Sequence, residues 1–237
     1  MRSGGGTFPA TPWSALLQDD GEGSSAHAAW EKLARAYWKP LYVFLRRKEL
    51  DHDTAADTIQ GFFAHMLNRE FLRDIERGSG RFRSFLLTSL QNWRTDQHRA
   101  ATAQKRGGDE PVIPLHEIEE MTCAESGIVD SPEEAFDRRW ARTLFDNALE
   151  KLGERLRDRG REAHFLKLRG LFTGEGTEPY ANIAADLGST EGAVQQAALE
   201  LRREFGDVLR HEVGLTVTDA DQVDGEIRYL VGLLRQS

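Results

Sequence analysis

Between positions 81 and 106 six cations, Arg81, Arg83, Arg94, Arg99, Lys105 and Arg106, are opposed only by Asp96, leaving a net charge of +5 in that stretch. Lys and Arg bind phosphate by displacing its condensed counterions, so this basic patch suits reversible contact with a polyanion. A second stretch, 180–205 (YANIAADLGSTEGAVQQAALELRREF), places a short apolar helix, a Gly-centred turn and a longer helix at helix-turn-helix spacing, a pattern that points to DNA. Covalent chemistry has no comparable set of residues. His211-Glu212 lacks the second His of a zinc-protease motif, and Gly174-Glu175-Gly176 is not a phosphate loop. His27, His52, His65, His98, His116 and His164 have no ligand-like spacing. The expectation is a non-enzyme with no catalytic residue, no metal and no cofactor.

Helices must position these residues. In the helix-turn-helix, Ile183, Ala184 and Leu187 give the first helix an apolar face, Gly188 sits where a tight turn needs positive φ, and Ser189 or Thr190 can cap the next helix. Ala193, Val194, Ala197, Ala198 and Leu201 then repeat at helical spacing, so the second helix packs on the first and leaves its other face for a groove. Upstream, a helix over 25–45 carries the stripe Trp30, Leu33, Ala34, Tyr37 and Trp38, with Pro40 predicting a kink or break. A second, over 53–68, has Asp53 or Thr54 as cap and Ala56, Ile59, Phe63, Met66 and Leu67 along one side. The glycines of DIERGSG make 74–80 a loop. A helix over 81–99 follows with Phe82, Phe85, Leu86, Ser89, Leu90 and Trp93.

Periodicity lapses over 101–130, and Ser131-Pro132-Glu133-Glu134 restarts it as a helix N-terminus that runs to about Arg157. A helix over 161–171, a Gly-rich connector over 172–179 and the helix-turn-helix complete the second half. A last amphipathic helix over 219–234 places Val223, Ile227, Leu230, Val231 and Leu234 on one side, as a tail packed on the second domain. The reading is all-α, with helical domains at 25–100 and 132–214, an acidic flexible linker at 101–131 and an extension at 215–237.

Composition narrows the partners. The net charge of -8 over 237 residues argues against a protein that coats nucleic acid indiscriminately. Nine acids between Asp109 and Glu134, with no Lys or Arg, are read as a solvated run. No apolar stretch approaches the roughly 20 residues of a membrane span, so no membrane insertion is expected. The opening MRSGGGTFPATPWS has no signal-peptide core, and the lone Cys123 excludes an intramolecular disulfide, so a cytoplasmic location is expected.

ADTIQGFFAHMLNREFL followed by GRFRSFLLTSLQNWRTDQHR resembles region 2 of the extracytoplasmic-function branch of sigma-70 RNA polymerase initiation factors. The helix-turn-helix resembles their region 4, and STEGAV with DQVDGEIRYLVGLL is similar to a subgroup with a short C-terminal extension. The resemblance runs from about Trp30 onward. It implies a factor that makes no covalent change, directs core RNA polymerase to promoter DNA and helps to separate the strands.

Carried onto this sequence, the resemblance implies docking on the polymerase clamp through Asp57, Gln60, Phe62 and Phe63, with one of the two consecutive phenylalanines serving the interface. Gly61 stands where the family usually has an acid. The minus-ten element would meet Arg81, Arg83, Arg94 and Arg99 at phosphates and Asn92 and Asp96 at a flipped base under the DIERGSG loop, with Trp93 stacking or in the core. The minus-thirty-five element would meet Thr190, Glu191, Gln195 and Gln196, with Arg202 and Arg203 near backbone. Gln can pair bidentately with adenine. Gln195 replaces a usual Lys or Arg, and Glu191, Glu200 and Glu204 share the helix, so weak intrinsic DNA affinity is expected. The 172–179 connector and the helix before it would contact the polymerase flap, and an anti-sigma or other inhibitory protein would hold the factor inactive. The competing reading is a sigma-like DNA-binding regulator or adaptor that has lost initiation activity.

Overall fold

The computed structural model describes residues 24–66, 80–103, 130–173 and 178–235. The DIERGSG loop up to Gly80, Lys105, Arg106, most of the acidic run and Cys123 lie outside them, as do Leu67 and the side chains of Trp30 and Leu33. Among the described residues the chain is all-helical, and its one extended pairing is an isolated antiparallel bridge between Arg81 and Val217. Two compact units form, one from residues up to Thr143 together with Val213–Ser237, the other from Leu144–Glu212.

In the first unit, helix α1 (Ser24–Arg47) buries Ala34, Leu41, Tyr42, Phe44 and Leu45, which share a broad face by helical spacing. It runs through Pro40 without a break, contrary to one expectation; Pro40 is itself buried in that packed face. Its end closes by two reversed hydrogen bonds, Leu50 N–H to Leu45 O at 3.3 Å and Glu49 N–H to Arg46 O at 3.1 Å. This Schellman pattern puts Glu49 at φ 63°, where glycine is usual.

Helix α2 (His52–Met66) starts one residue earlier than the sequence suggests, and Asp51, not Asp53 or Thr54, caps it. Asp51 accepts the Thr54 N–H and the Thr54 hydroxyl, each at 2.8 Å, and these donors hold its carboxyl below the ordinary value. Ala55, Ile59, Phe62, Phe63 and Met66 are buried between α1 and helix α3 (Phe82–Ala103), both of which α2 contacts. Helix α4 (Pro132–Asp158) opens at the N-terminus expected at Ser131, and it does so as a capping box: the Glu134 N–H reaches Ser131 Oγ at 3.2 Å and the Ser131 N–H reaches Glu134 Oε2 at 2.9 Å. Its Trp140 stacks on Tyr37 of α1, with centroids 4.5 Å apart, and Tyr37 also meets Phe82 at 5.3 Å. This aromatic cluster is the core that seats the first turn of α3.

The C-terminal segment belongs to the first unit, where it meets the start of α3 and also the first part of α4, through Asp137 and Arg138, within the span expected to carry it. The Phe82 N–H donates to Thr216 O at 2.8 Å and the Thr218 N–H to Gly80 O at 3.1 Å, pinning the segment beside the start of α3. A 3-10 turn (Ala220–Gln222) follows, and then a helix, Val223–Arg235, which buries Val223, Glu226 and Leu230.

The second unit contains the rest of α4, α5 (Glu162–Leu168), α6 (Gly170–Thr173), α7 (Tyr180–Asp186) and most of α8 (Glu191–Gly214), and the C-terminal helix is numbered α9. Gly160, at φ 68°, turns the chain out of α4. Gly153 lets Phe165 lie against that helix, since a Cβ there would sit 2.8 Å from the ring. Phe205 of α8 closes the other side between Phe172 at 4.8 Å and Phe145 at 5.9 Å. Among the described residues no helix is long and apolar enough to cross a membrane.

Candidate functional site

Helices α7 and α8 are joined by a turn in which Gly188 takes φ 58° and the Ser189 N–H donates to Ala184 O at 2.8 Å. Thr190 caps α8, its Oγ1 accepting the Ala193 N–H at 3.3 Å. Ile183 and Ala184 pack inward, as do Val194, Ala197, Ala198 and Leu201. Ala193, expected on that inward face, is exposed. Thr190, Glu191, Gln195, Gln196, Arg202 and Arg203 all lie on the outward surface of α8.

The acids of α8 do less damage to anion binding than their count suggests. Arg161 reaches Glu200 at 3.1 Å and Glu204 at 3.3 Å, and Arg159 reaches Glu204 at 3.0 Å. Glu200 is held below the ordinary carboxylate value by the Gln196 amide and then by Arg161, so it stays ionised and paired. Arg202 and Arg203 enter no salt bridge among the described residues, which leaves the outward face with two cations against Glu191. Sequence reasoning missed Leu199, which is 58% exposed on that face. Its spacing from Gln195 and Arg202 marks it as outward, a signal that hydrophobicity alone hides.

On α3, Asn92, Asp96 and Arg99 are exposed and follow each other at helical spacing. Arg99 and Asp96 approach to 3.7 Å with both side chains over 70% exposed, a weak surface pair. Arg94 is half-buried. Trp93 is half-buried with its ring against α2, 5.9 Å from Phe62 and 6.3 Å from His65.

Other expected site residues are placed differently. Asp57 is exposed and Gln60 half-buried, but Phe62 and Phe63 are both in the core, at 0% and 2% exposure. Neither ring is offered to a partner, because α2 is covered along a face wide enough to take both. Arg83 is likewise 6% exposed and closed off from any phosphate. Its Nε donates to Glu226 Oε1 at 2.7 Å and its Nη1 to Asp137 Oδ1 at 2.6 Å, while its guanidinium lies 4.6 Å from the Tyr229 ring centroid. The Tyr229 hydroxyl donates to Asp137 Oδ2 at 2.6 Å. Burial by itself would loosen the Arg83 proton, but the two carboxylates outweigh it and hold the guanidinium above its ordinary value. Removing one partner of such a buried pair costs about 3–5 kcal/mol.

Arg81 meets the same cluster from outside. Its Nε lies 2.7 Å from Glu226 Oε2, an ion pair rather than an aligned hydrogen bond. The sequence carried a signal for this cluster: Glu226 interrupts the apolar stripe of its helix, and Arg83 shares a helical face with Leu86 and Leu90. Charges on two apolar faces call for each other. Among the described residues no group of three His, Cys, Asp or Glu side chains gathers in a metal-binding arrangement. No protein-family model, curated protein or solved structure matches the chain.

Proposed function

We propose that this protein is a transcription initiation factor of the extracytoplasmic-function sigma type, which binds core RNA polymerase, reads promoter DNA and helps to open it. The observation that carries the reading is the outward face of α8: a capped helix after a positive-φ glycine turn presents Gln195, Gln196, Arg202 and Arg203 together. Gln amides suit adenine edges and Arg suits phosphates, the two kinds of contact that read and position a major groove. The exposed Asn92, Asp96 and Arg99 on α3 support a second contact, at unpaired bases and their backbone.

In this reading α2 docks on the polymerase clamp through Asp57 and Gln60, the phenylalanines serving as the core beneath them. The helix before the connector faces the flap, and an anti-sigma or other inhibitory protein covers the docking surface. The work is done in the cytoplasm and needs no cofactor, metal or catalysis.

Leu199 favours a second reading, a sigma-like regulator or adaptor whose α8 face takes a protein partner. Binding to core polymerase in the absence of DNA separates the two. A stable complex weakened by Asp57→Ala supports the initiation factor; no complex, with α8 still binding promoter-like DNA, supports the regulator.

A further inference from the structure

Two arginines meet one buried carboxylate and end in different states. Arg83 spends its nitrogens on Glu226 and Asp137 and lies against the Tyr229 ring. Arg81 approaches Glu226 through its Nε as an ion pair, and its side chain remains 46% exposed. It has no other ion pair among the described residues. A guanidinium whose buried carboxylate lies on its Nε side can turn its terminal nitrogens to an outside acceptor, in the planar fork that fits two phosphate oxygens.

The C-terminal segment that supplies Glu226 is not a cover for α3. Its backbone hydrogen bonds reach Gly80 and Phe82, and its carboxylate reaches Arg81 and Arg83, all at the first turn. Farther along α3 the Asp96 and Arg99 side chains stay 72% and 77% exposed. A tail that blocked this helix would lie over them.

We infer that Glu226 is a positioning residue that aims Arg81 at a phosphodiester of the promoter, so that segment 215–235 is a working part of the DNA-contacting surface; this rests on the initiation reading above. Fixing the side chain before binding removes part of the ordering cost a free arginine carries, and Glu226 performs that role from a second element.

The test is the salt dependence of binding between forked promoter DNA and the holoenzyme of core polymerase with the full-length chain, for wild type, Arg81→Gln, Glu226→Gln and the double variant. Arg81→Gln is expected to lower the slope of log affinity against log salt by about 0.7 to 0.9, one phosphate contact. Glu226→Gln should lower it equally, and the double variant no further. Thermal unfolding is followed in parallel. Should Glu226→Gln fail to fold, Glu226→Asp keeps the charge, withdraws the carboxylate from Arg81 and is expected to give the same loss of slope.

An unchanged slope for Arg81→Gln, with normal wild-type binding, overturns the phosphate contact while leaving the initiation reading intact. Tighter binding by Glu226→Gln overturns the positioning role and makes Glu226 a brake. Wild-type holoenzyme that binds no promoter overturns the initiation reading and this inference with it.

Discussion

The indole of Trp93 lies across the backbone of Gly61, so close that a Cβ at position 61 would stand 2.9 Å from Trp93 Cη2. A glycine in the middle of α2 costs about 1 kcal/mol of helix propensity relative to alanine, and the indole contact is what that cost secures. The two substitutions are therefore coupled. In the wild-type background Gly61→Ala pushes the ring aside and is expected to destabilise by about 1 kcal/mol; with Trp93→Ala already present it should stabilise by a similar amount. Urea unfolding of the four proteins reads this directly. The same sign in both backgrounds would contradict the contact.

Glu49 closes α1 in the left-handed region, at φ 63°. A side chain there costs about 1–2 kcal/mol that glycine avoids, partly offset by glycine's greater freedom when unfolded. Glu49→Gly is expected to raise stability by up to about 1 kcal/mol, with α1 ending at the same residue. A fall in the unfolding midpoint would mean that the carboxylate makes a contact of its own.

The Tyr229 phenol is pushed up from 10.0 to about 12, first by burial and then by the hydrogen bond it donates to Asp137. A proton held more tightly when folded stabilises the fold fully below the unfolded value and loses that contribution as pH rises through the folded one. The loss belongs between pH 10 and pH 12, and it is moderated because Tyr229 is 39% exposed. Tyr229→Phe should flatten that part of the stability profile relative to wild type. Parallel profiles for the two proteins would show that the phenol is not linked to folding.

Arg94→Ala combined with Arg99→Ala is expected to abolish promoter opening, read as permanganate reactivity of unpaired thymines, while leaving polymerase binding intact. Arg99 is exposed and Arg94 half-buried, so the pair removes charge without opening the core. Loss of polymerase binding as well would indicate misfolding. On α8, Glu200 and Glu204 are already paired and Glu191 meets only the Gln195 amide, so Gln195→Lys adds a cation to this face, and non-specific DNA affinity should rise and its salt dependence steepen by up to about one phosphate.

The helices were legible where one strong local signal decided them. The helix start at Ser131, the Gly188 turn and the buried stripe from Val194 to Leu201 all follow from spacing and stand in the structure. What escaped were decisions made by distant partners. Phe62 and Phe63 cannot both face one narrow stripe, yet α1 and α3 together cover a face wide enough for both. Asp51 took the cap from Asp53 and Thr54 because the Thr54 N–H and hydroxyl both turned back to it. Arg83 reads as one more cation in a basic run until Glu226, 143 residues later, reaches it in the core. Within the candidate site, the exposed Gln and Arg positions of α8 were readable from helical period alone, whereas the pairing of Glu200 and Glu204 needed Arg159 and Arg161 from the turn between α4 and α5.

Initiation is read out by in vitro transcription from a pool of random promoters, using core RNA polymerase from the source organism with and without this protein. An initiation factor should yield protein-dependent transcripts that share paired upstream motifs at a fixed spacing, lost with Arg94→Ala and Arg99→Ala. Stable polymerase binding with no protein-dependent transcript would contradict initiation and leave the adaptor in its place.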